Sequence, residues 1–238
     1  MKFSLIVPMY NEAEVIQDTA RTLVRELDPM VEDYEILFVD DGSRDSCADL
    51  VRELNLPRVR VEGYPQNHGK GYAVKTGMLA AGGDVRMFLD ADLAYGTQVV
   101  GQALALFEEH PDKDVIIGSR ALHPEGYEGY TPLRKLASKV YLKVLCRFGG
   151  FQLSDSQCGC KAFRAAAAEA IFSRCETEGF AFDFEVILLA QKLGCRVLEM
   201  PVKIVNHRFS KVNLVKDTLN MLKEISRIKK RVKKTPTQ

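Results

Sequence analysis

No run of about 18 apolar residues occurs in the chain, so no segment reads as a transmembrane helix and any membrane contact is left to the surface. There is no surplus of charge either. The formal net charge is +1, which gives no argument for a nucleic-acid partner. No C-x-x-C pair is present. The six cysteines (Cys47, Cys146, Cys158, Cys160, Cys175 and Cys195) are scattered, which predicts reduced thiols and a cytoplasmic setting. Cys158-Gly159-Cys160 has no second cysteine or histidine pair at zinc spacing, which argues against a zinc site. No internal repeat and no linker interrupts the 238 residues, so one α/β domain over 1–238 is expected. The opening MKFSLIVPMYNE has an apolar run too short for a signal peptide and reads as a first buried strand.

What is present is an alternation. Apolar strands are expected at Phe3–Val7, Glu35–Val39, Val59–Glu62, Val85–Leu89 and Val115–Ile117. Helical spacing fills the gaps, at Glu14–Leu27, Ser46–Leu54, Tyr72–Ala81 and Val99–Glu109. Such alternation predicts a mostly parallel sheet with helices on both faces. The second half is less regular. It predicts helices at Leu133–Phe148, Ala165–Ser173, Phe184–Leu193 and Val212–Ile228. A turn and strand fill Ser154–Arg164, and Arg196–Val205 is strand-like with Pro201 at an edge.

In a parallel sheet, ligands bind beyond the carboxyl ends of the strands. Asp40, Asp41, Asp90 and Arg120 each stand at such an end. Asp90-Ala91-Asp92 follows VRMFL. Alone, the pair would read as a solvated turn or a cap. Beside other strand-end acids it reads as a site for a hard divalent cation, Mg²⁺ or Mn²⁺, which prefers carboxylate and phosphate oxygens. A carboxylate in Asp40-Asp41-Gly42-Ser43 can accept from a base imide or a ribose hydroxyl, or cap the next helix. Tyr10 can stack on a base; Glu12 can cap a helix or bind ribose. Asn67-His68-Gly69-Lys70-Gly71 lacks the Walker A spacing, yet a lysine ahead of a helix suits a phosphate as well as it suits a plain loop.

The strings VPMYNEAEVI, VDDGSRD, NHGKGYAVKTGM, FLDADLA, IGSR and DSQCGCKAFR stand in the order typical of family 2 inverting glycosyltransferases with the GT-A fold. More narrowly, the chain resembles the dolichyl-phosphate glucosyltransferases and mannosyltransferases, from Phe3 to about Ile228. The resemblance implies a nucleotide-sugar half (1–120), an acceptor half (121–210) and a basic amphipathic C-terminal helix (211–234). It implies that Pro8, Tyr10, Glu12, Val39 and Asp41 contact the nucleoside, with Asp40 beside it. Asp90 and Asp92 would bind the metal and the diphosphate, with Ala91 and Lys70 also among the donor-binding residues. Arg120, Arg134 and Ser138 would hold the acceptor phosphate, and Arg208 and Lys211 would clamp the donor diphosphate. Two departures matter. Ala94 stands where the mannosyl branch usually has a metal-binding glutamine. Asp155-Ser156-Gln157-Cys158-Gly159-Cys160-Lys161 is closer to the glucosyl branch, although Cys160 replaces its aromatic residue. Both point to UDP-glucose, with GDP-mannose or a saccharide acceptor as the alternatives.

The implied reaction is an in-line displacement on a polyprenyl phosphate, dolichyl or undecaprenyl. A phosphate monoester, with its second pKa near ~6, is largely ionised at neutral pH, so no strong base is required. That weakens a base role for Asp155 or Asp183. Asp183 and Glu185 stand open between orienting sugar hydroxyls and serving as helix-start acids. Lys135, Lys139, Lys143 and Arg147 form one stripe beside Leu133, Leu136, Val140, Val144 and Leu145. That pattern suits either a core helix with a solvated face or an anionic membrane surface. Lys223–Lys234 (KEISRIKKRVKK) is a second basic segment. A peripheral place on the cytosolic face of a membrane is the resulting expectation. Oligomeric state is not legible.

Overall fold

The computed structural model describes residues 1–206 and 214–236; the side chains of 133–134 and 214–223 lie outside that description. Seven strands form one sheet in the order β3-β2-β1-β4-β6-β5-β7. They are β1 (Phe3–Met9), β2 (Tyr34–Asp41), β3 (Val59–Tyr64), β4 (Val85–Leu89), β5 (Val115–Ser119), β6 (Cys160–Arg164) and β7 (Val197–Pro201). β1 is central and buried on both faces, as its near-continuous apolar run requires of a parallel strand. It pairs in parallel with β2 and β4, and β2 pairs in parallel with β3.

Helices cover both faces. On one face α1 (Ile16–Leu27), α2 (Cys47–Arg52) and α4 (Gln98–Glu109) pack over Phe3, Leu5, Val7, Ile36 and Phe38. α1 buries Ile16, Ala20, Leu23 and Leu27 at helical spacing. On the other face α3 (Lys70–Ala80), α6 (Ala165–Phe172) and α7 (Phe182–Lys192) pack over Ile6, Leu37, Val39 and Phe88, and α8 (Leu214–Lys234) packs against α7. Gly77 lets α3 come close, since a Cβ there would run into Ile6 and Val39.

The expected alternation holds with one reversal. β6 runs antiparallel to both β4 and β5. Its beginning therefore lies at the edge where β1, β2, β4 and β5 end. β7 is shorter than the Arg196–Val205 expectation, because beyond edge residue Pro201 the chain leaves the ladder. Val205 N–H donates to the Ala94 carbonyl instead (2.8 Å). α8 continues past Ile228 to Lys234 and is fastened to the body. Ile225, Ile228 and Val232 are buried, which contributes about 1.5–3 kcal/mol each. Arg231 donates to Glu185 (2.7 Å) and to the Thr177 hydroxyl (2.7 Å), and Lys192 caps the Val232 and Lys233 carbonyls (2.7 Å each). α5 (Pro132–Gly149) differs: among its described side chains only Leu145 is fully buried. No described helix is long and apolar enough to cross a membrane.

Candidate active site

The ends of β1, β2 and β4 lie side by side, and their loops hold one another. Asn11, in the left-handed region at φ 52°, receives Arg44 N–H on its side-chain oxygen (2.8 Å), and its own N–H donates to Ser43 Oγ (3.0 Å). Asn tolerates that conformation better than most residues. Ala13 N–H donates to Asp45 (2.9 Å), and Asp45 also caps Cys47 N–H (3.1 Å). Capping of α2 thus falls to Asp45 rather than to the Asp40-Asp41 pair. The Glu12 backbone carbonyl accepts from Val15 and Ile16 at the start of α1 (3.0 Å each). Pro8 is half-buried, and Tyr10 is 38% exposed.

The two carboxylates that end β2 have different surroundings. Asp41 is buried and accepts from the Tyr64 hydroxyl (2.8 Å), Asn67 Nδ2 (2.8 Å), His68 N–H (2.9 Å) and Gly69 N–H (2.9 Å). A carboxylate offers about four acceptor positions, so its own chain takes up most of them. Asp41 therefore latches β2 to the loop ahead of α3. Asp40 is half-buried, with one oxygen accepting from Ser43 N–H (3.0 Å). The Val39 side chain is fully buried on the α3 face. Tyr64, His68 and Tyr72 cluster around this latch, with His68 stacked on Tyr72 at 4.5 Å. Sequence reasoning missed Tyr64 and Asn67, because their contacts with Asp41 span 23 and 26 residues.

Lys70 opens α3 and meets Asp90 Oδ1 at 2.5 Å. Burial pushes the Lys70 ammonium toward the neutral form, but Asp90, Asp183 and Asp92 outweigh it and hold its pKa above the usual value. Asp90 is 31% exposed at its side chain, and Ala91 is buried with its carbonyl accepting from Thr19 Oγ1 (2.8 Å). Asp92 receives Ala94 N–H (3.0 Å). Leu93 adopts φ 47°, a costly conformation for a residue with a Cβ. It is held there by Leu93 N–H to the Asp90 carbonyl (3.0 Å) and Asn206 Nδ2 to the Leu93 carbonyl (2.9 Å). Two carboxylates with no third clustered ligand among the described residues match a site where Mg²⁺ or Mn²⁺ takes its other oxygens from phosphate and water. Asp90 and Asp92 fit that role.

Arg120 follows β5 directly and forks onto Asp155 through Nε (2.6 Å) and Nη2 (3.0 Å). Nη1 donates to the Tyr130 hydroxyl (3.1 Å). Burial pushes the Asp155 carboxyl up, but the Arg120 guanidinium outweighs it and holds the group below its usual range. Both partners are 15% exposed or less. Glu199 on β7 supports this pair by accepting from Ser154 and Asp155 N–H (2.8 and 3.2 Å). Tyr95 is buried within the fields of Asp90 and Arg120, and burial pushes its phenol well up. Ser138 is half-buried on α5, and Arg134 lies four residues before it with its side chain outside the described set. Arg208 and Lys211 lie outside the described residues. Asp183 is buried and bound to Lys161 at 2.5 Å. Glu185 serves Thr177 N–H and Arg231, so its part is to anchor α8.

The site thus pairs a lysine–carboxylate cluster at the β4 end with an arginine–carboxylate fork at the β5 end. Residues 4–172 match the family described as Glycosyl transferase family 2. The chain belongs to that family. It is 32% identical to a dolichyl-phosphate β-glucosyltransferase of Trichomonas vaginalis over 84% of this chain and 63% of that protein. It is 32% identical to the dolichyl-phosphate β-glucosyltransferase of Saccharomyces cerevisiae, over 93% of this chain and 72% of the yeast protein. It is 30% identical to glycosyltransferase AglD of Haloferax volcanii, over 95% of this chain and 37% of that one. The chain thus spans less than two thirds of the Trichomonas and Haloferax relatives. A solved structure of glucosyl-3-phosphoglycerate synthase from Mycobacterium tuberculosis, holding Mn²⁺, UDP and glucosyl-3-phosphoglycerate, superposes with a TM-score of 0.73. It covers 99% of this chain and 81% of that one at 16% identity, which shows the shared GT-A architecture.

Proposed function

We propose that this family 2 glycosyltransferase moves glucose, with inversion, from UDP-glucose to the phosphate of a polyprenyl lipid. The observation that carries it is the placement of Lys70, Asp90 and Asp92 at one strand end and the Arg120–Asp155 fork at the next. The first group suits a donor diphosphate; the second suits an acceptor phosphate. The dolichyl-phosphate β-glucosyltransferase relatives support the lipid acceptor and the sugar.

Asp90 and Asp92 would hold a divalent cation, which neutralises charge on the leaving diphosphate when bound. Lys70, which meets Asp90 at 2.5 Å, would turn to the diphosphate as a second anionic partner. Tyr10 and the half-buried Asp40 meet the nucleoside, on a loop braced by Asp41. Arg120 spends three of its five N–H donors on Asp155 and Tyr130, and turns the others to the acceptor phosphate. A phosphate oxygen attacks the anomeric carbon as the bond to UDP breaks. That oxygen is already ionised, so Asp155 acts by orienting Arg120 rather than by taking a proton.

Ala94 supports the choice of glucose. Its backbone is tied to Asp92 and Val205, and its methyl group offers no metal ligand. α5 supports the lipid phase. Leu136 and Val140 are 60% and 55% exposed, and Lys139, Lys143 and Arg147 are exposed beside them. An apolar face rimmed by cations suits an anionic bilayer surface. In the described part of α8, by contrast, Ile225, Ile228 and Val232 are buried, and the exposed residues are polar or charged. The test is a panel of UDP-glucose and GDP-mannose with a polyprenyl phosphate and Mn²⁺ or Mg²⁺. Glucose on the lipid is the expected product. Faster transfer from GDP-mannose overturns the sugar, and sugar on a free saccharide alone overturns the acceptor.

A further inference from the structure

Lys161 is fully buried on β6, and none of the catalytic steps uses it. Burying an ammonium is costly unless it is paired, so its position needs a reason. Its Nζ donates to the Cys158 carbonyl (2.8 Å) and to Asp183 (2.5 Å), and lies 5.5 Å from the centre of the Phe88 ring. β6 runs antiparallel to β4, with Lys161 opposite Phe88 and Cys160 opposite Leu89. One step further along, Gly159 falls beside Asp90. A Cβ on Gly159 would lie 2.0 Å from Asp90 Oδ2 and 2.6 Å from its Cγ, so the carboxylate would have to move. The backbone at Gly159 has no left-handed φ, so the glycine is required there for room rather than for conformation.

We propose that Gly159 and Lys161 are positioning residues for the Asp90 carboxylate. Gly159 leaves the space the carboxylate fills, and Lys161 pins the Cys158–Gly159 peptide that bounds this space. The opposite wall is Lys70, on Asp90 Oδ1. This role rests on Asp90 and Asp92 being the metal ligands. In it the reversed strand β6, and not the strand-end loop alone, sets the direction of Asp90.

The test measures Mn²⁺ binding to the full chain in the presence of UDP, from the electron paramagnetic resonance of free Mn²⁺. Gly159→Ala, Lys161→Met and Asp92→Asn are compared with the parent, with circular dichroism as the check on folding. Gly159→Ala and Lys161→Met are expected to weaken Mn²⁺ binding by about 10–100-fold, the usual effect of losing the support of a ligand. The acceptor KM at saturating Mn²⁺ should stay within about twofold in Gly159→Ala, a split that a general loss of structure would not produce. Parent-like Mn²⁺ affinity in a folded Gly159→Ala, with weakened binding in Asp92→Asn, overturns the positioning role alone. Parent-like affinity in Asp92→Asn overturns the metal reading beneath it. If neither Gly159→Ala nor Lys161→Met folds, the segment is a folding requirement and the proposal falls.

Discussion

The two edges of the site are built differently. At the edge proposed for the donor, the loops after β1, β2 and β4 are tied to each other by side-chain to backbone hydrogen bonds. Asn11, Asp41, Asp45 and Thr19 each spend their polar atoms on a neighbouring loop. At the edge proposed for the acceptor, the Arg120–Asp155 fork is fixed by Glu199 and Tyr130. Beyond them α5 turns Leu136, Val140 and Phe148 outward. A water-soluble nucleotide is best received by dipoles already in place, since orientation is then not lost on binding. A ligand that arrives in an apolar phase needs a face that the protein has not already covered.

The comparison breaks most completely at the DAD turn. Asp92→Asn removes one of the two carboxylates proposed for the metal, while Ala94 N–H can still donate to the amide oxygen. Turnover is expected to fall on the order of 100-fold or more, with the thermal midpoint within a few degrees of the parent. A variant that kept a tenth of the parent rate would remove Asp92 from the site. Asp41→Ala tests the bracing instead. It leaves Asn67, Tyr64 and two backbone N–H groups without their acceptor. A loss of about 3 kcal/mol or more in unfolding free energy is expected, read from urea denaturation. An unchanged midpoint would mean that water replaces the latch at little cost.

Asp155→Asn sharpens the other edge. The Asp155 carboxyl is held below its usual value in the folded state, so its contribution is complete above the unfolded carboxylate value, about 3.9. It is lost as pH falls through the lower folded value. The variant should therefore be about 2–3 kcal/mol less stable than the parent at pH 7, and the gap should narrow below about pH 4. Thermal unfolding of both proteins at pH 7 and pH 3 checks this. A gap that did not change with pH would show that packing, not charge, holds the fork.

The donor edge is also the more legible one, for a physical reason. Its residues stand in short strings at the ends of apolar strands, so VPMYNE, VDDGS and FLDAD read as sites from the sequence alone. Strand ends and apolar periods are local signals. The reversal of β6 is not local. Its five residues, CKAFR, carry no mark of strand direction, so only the register of the sheet reveals how closely Gly159 approaches Asp90. Nor does the sequence distinguish Asp41, with both oxygens spent on its own chain, from Asp40, whose Oδ1 takes the Ser43 N–H. The pairing of Arg120 with Asp155, 35 residues apart, is likewise invisible in the sequence, where each suggests a separate role. Periodicity alone also cannot tell the two basic amphipathic helices apart. α8 buries Ile225, Ile228 and Val232, whereas α5 leaves Leu136, Val140 and Phe148 exposed.

That last contrast yields the mildest test. Leu136→Gln combined with Val140→Gln changes two side chains that are more than half exposed, so little buried area is lost. Stability should stay within about 0.5 kcal/mol per substitution, as for ordinary surface changes. Transfer to a short-chain, water-soluble phosphate acceptor should be nearly unaffected. Transfer to a polyprenyl phosphate embedded in anionic vesicles should fall several-fold, as should co-sedimentation with those vesicles, because about 0.8 kcal/mol per buried CH₂ is forfeited at the interface. The same change on α8, Ile225→Gln with Ile228→Gln, should do the reverse: unfold the protein at lower temperature before any effect on vesicles appears. If the α5 variant loses activity equally on both acceptors, its outward face serves the active site itself and not a lipid surface.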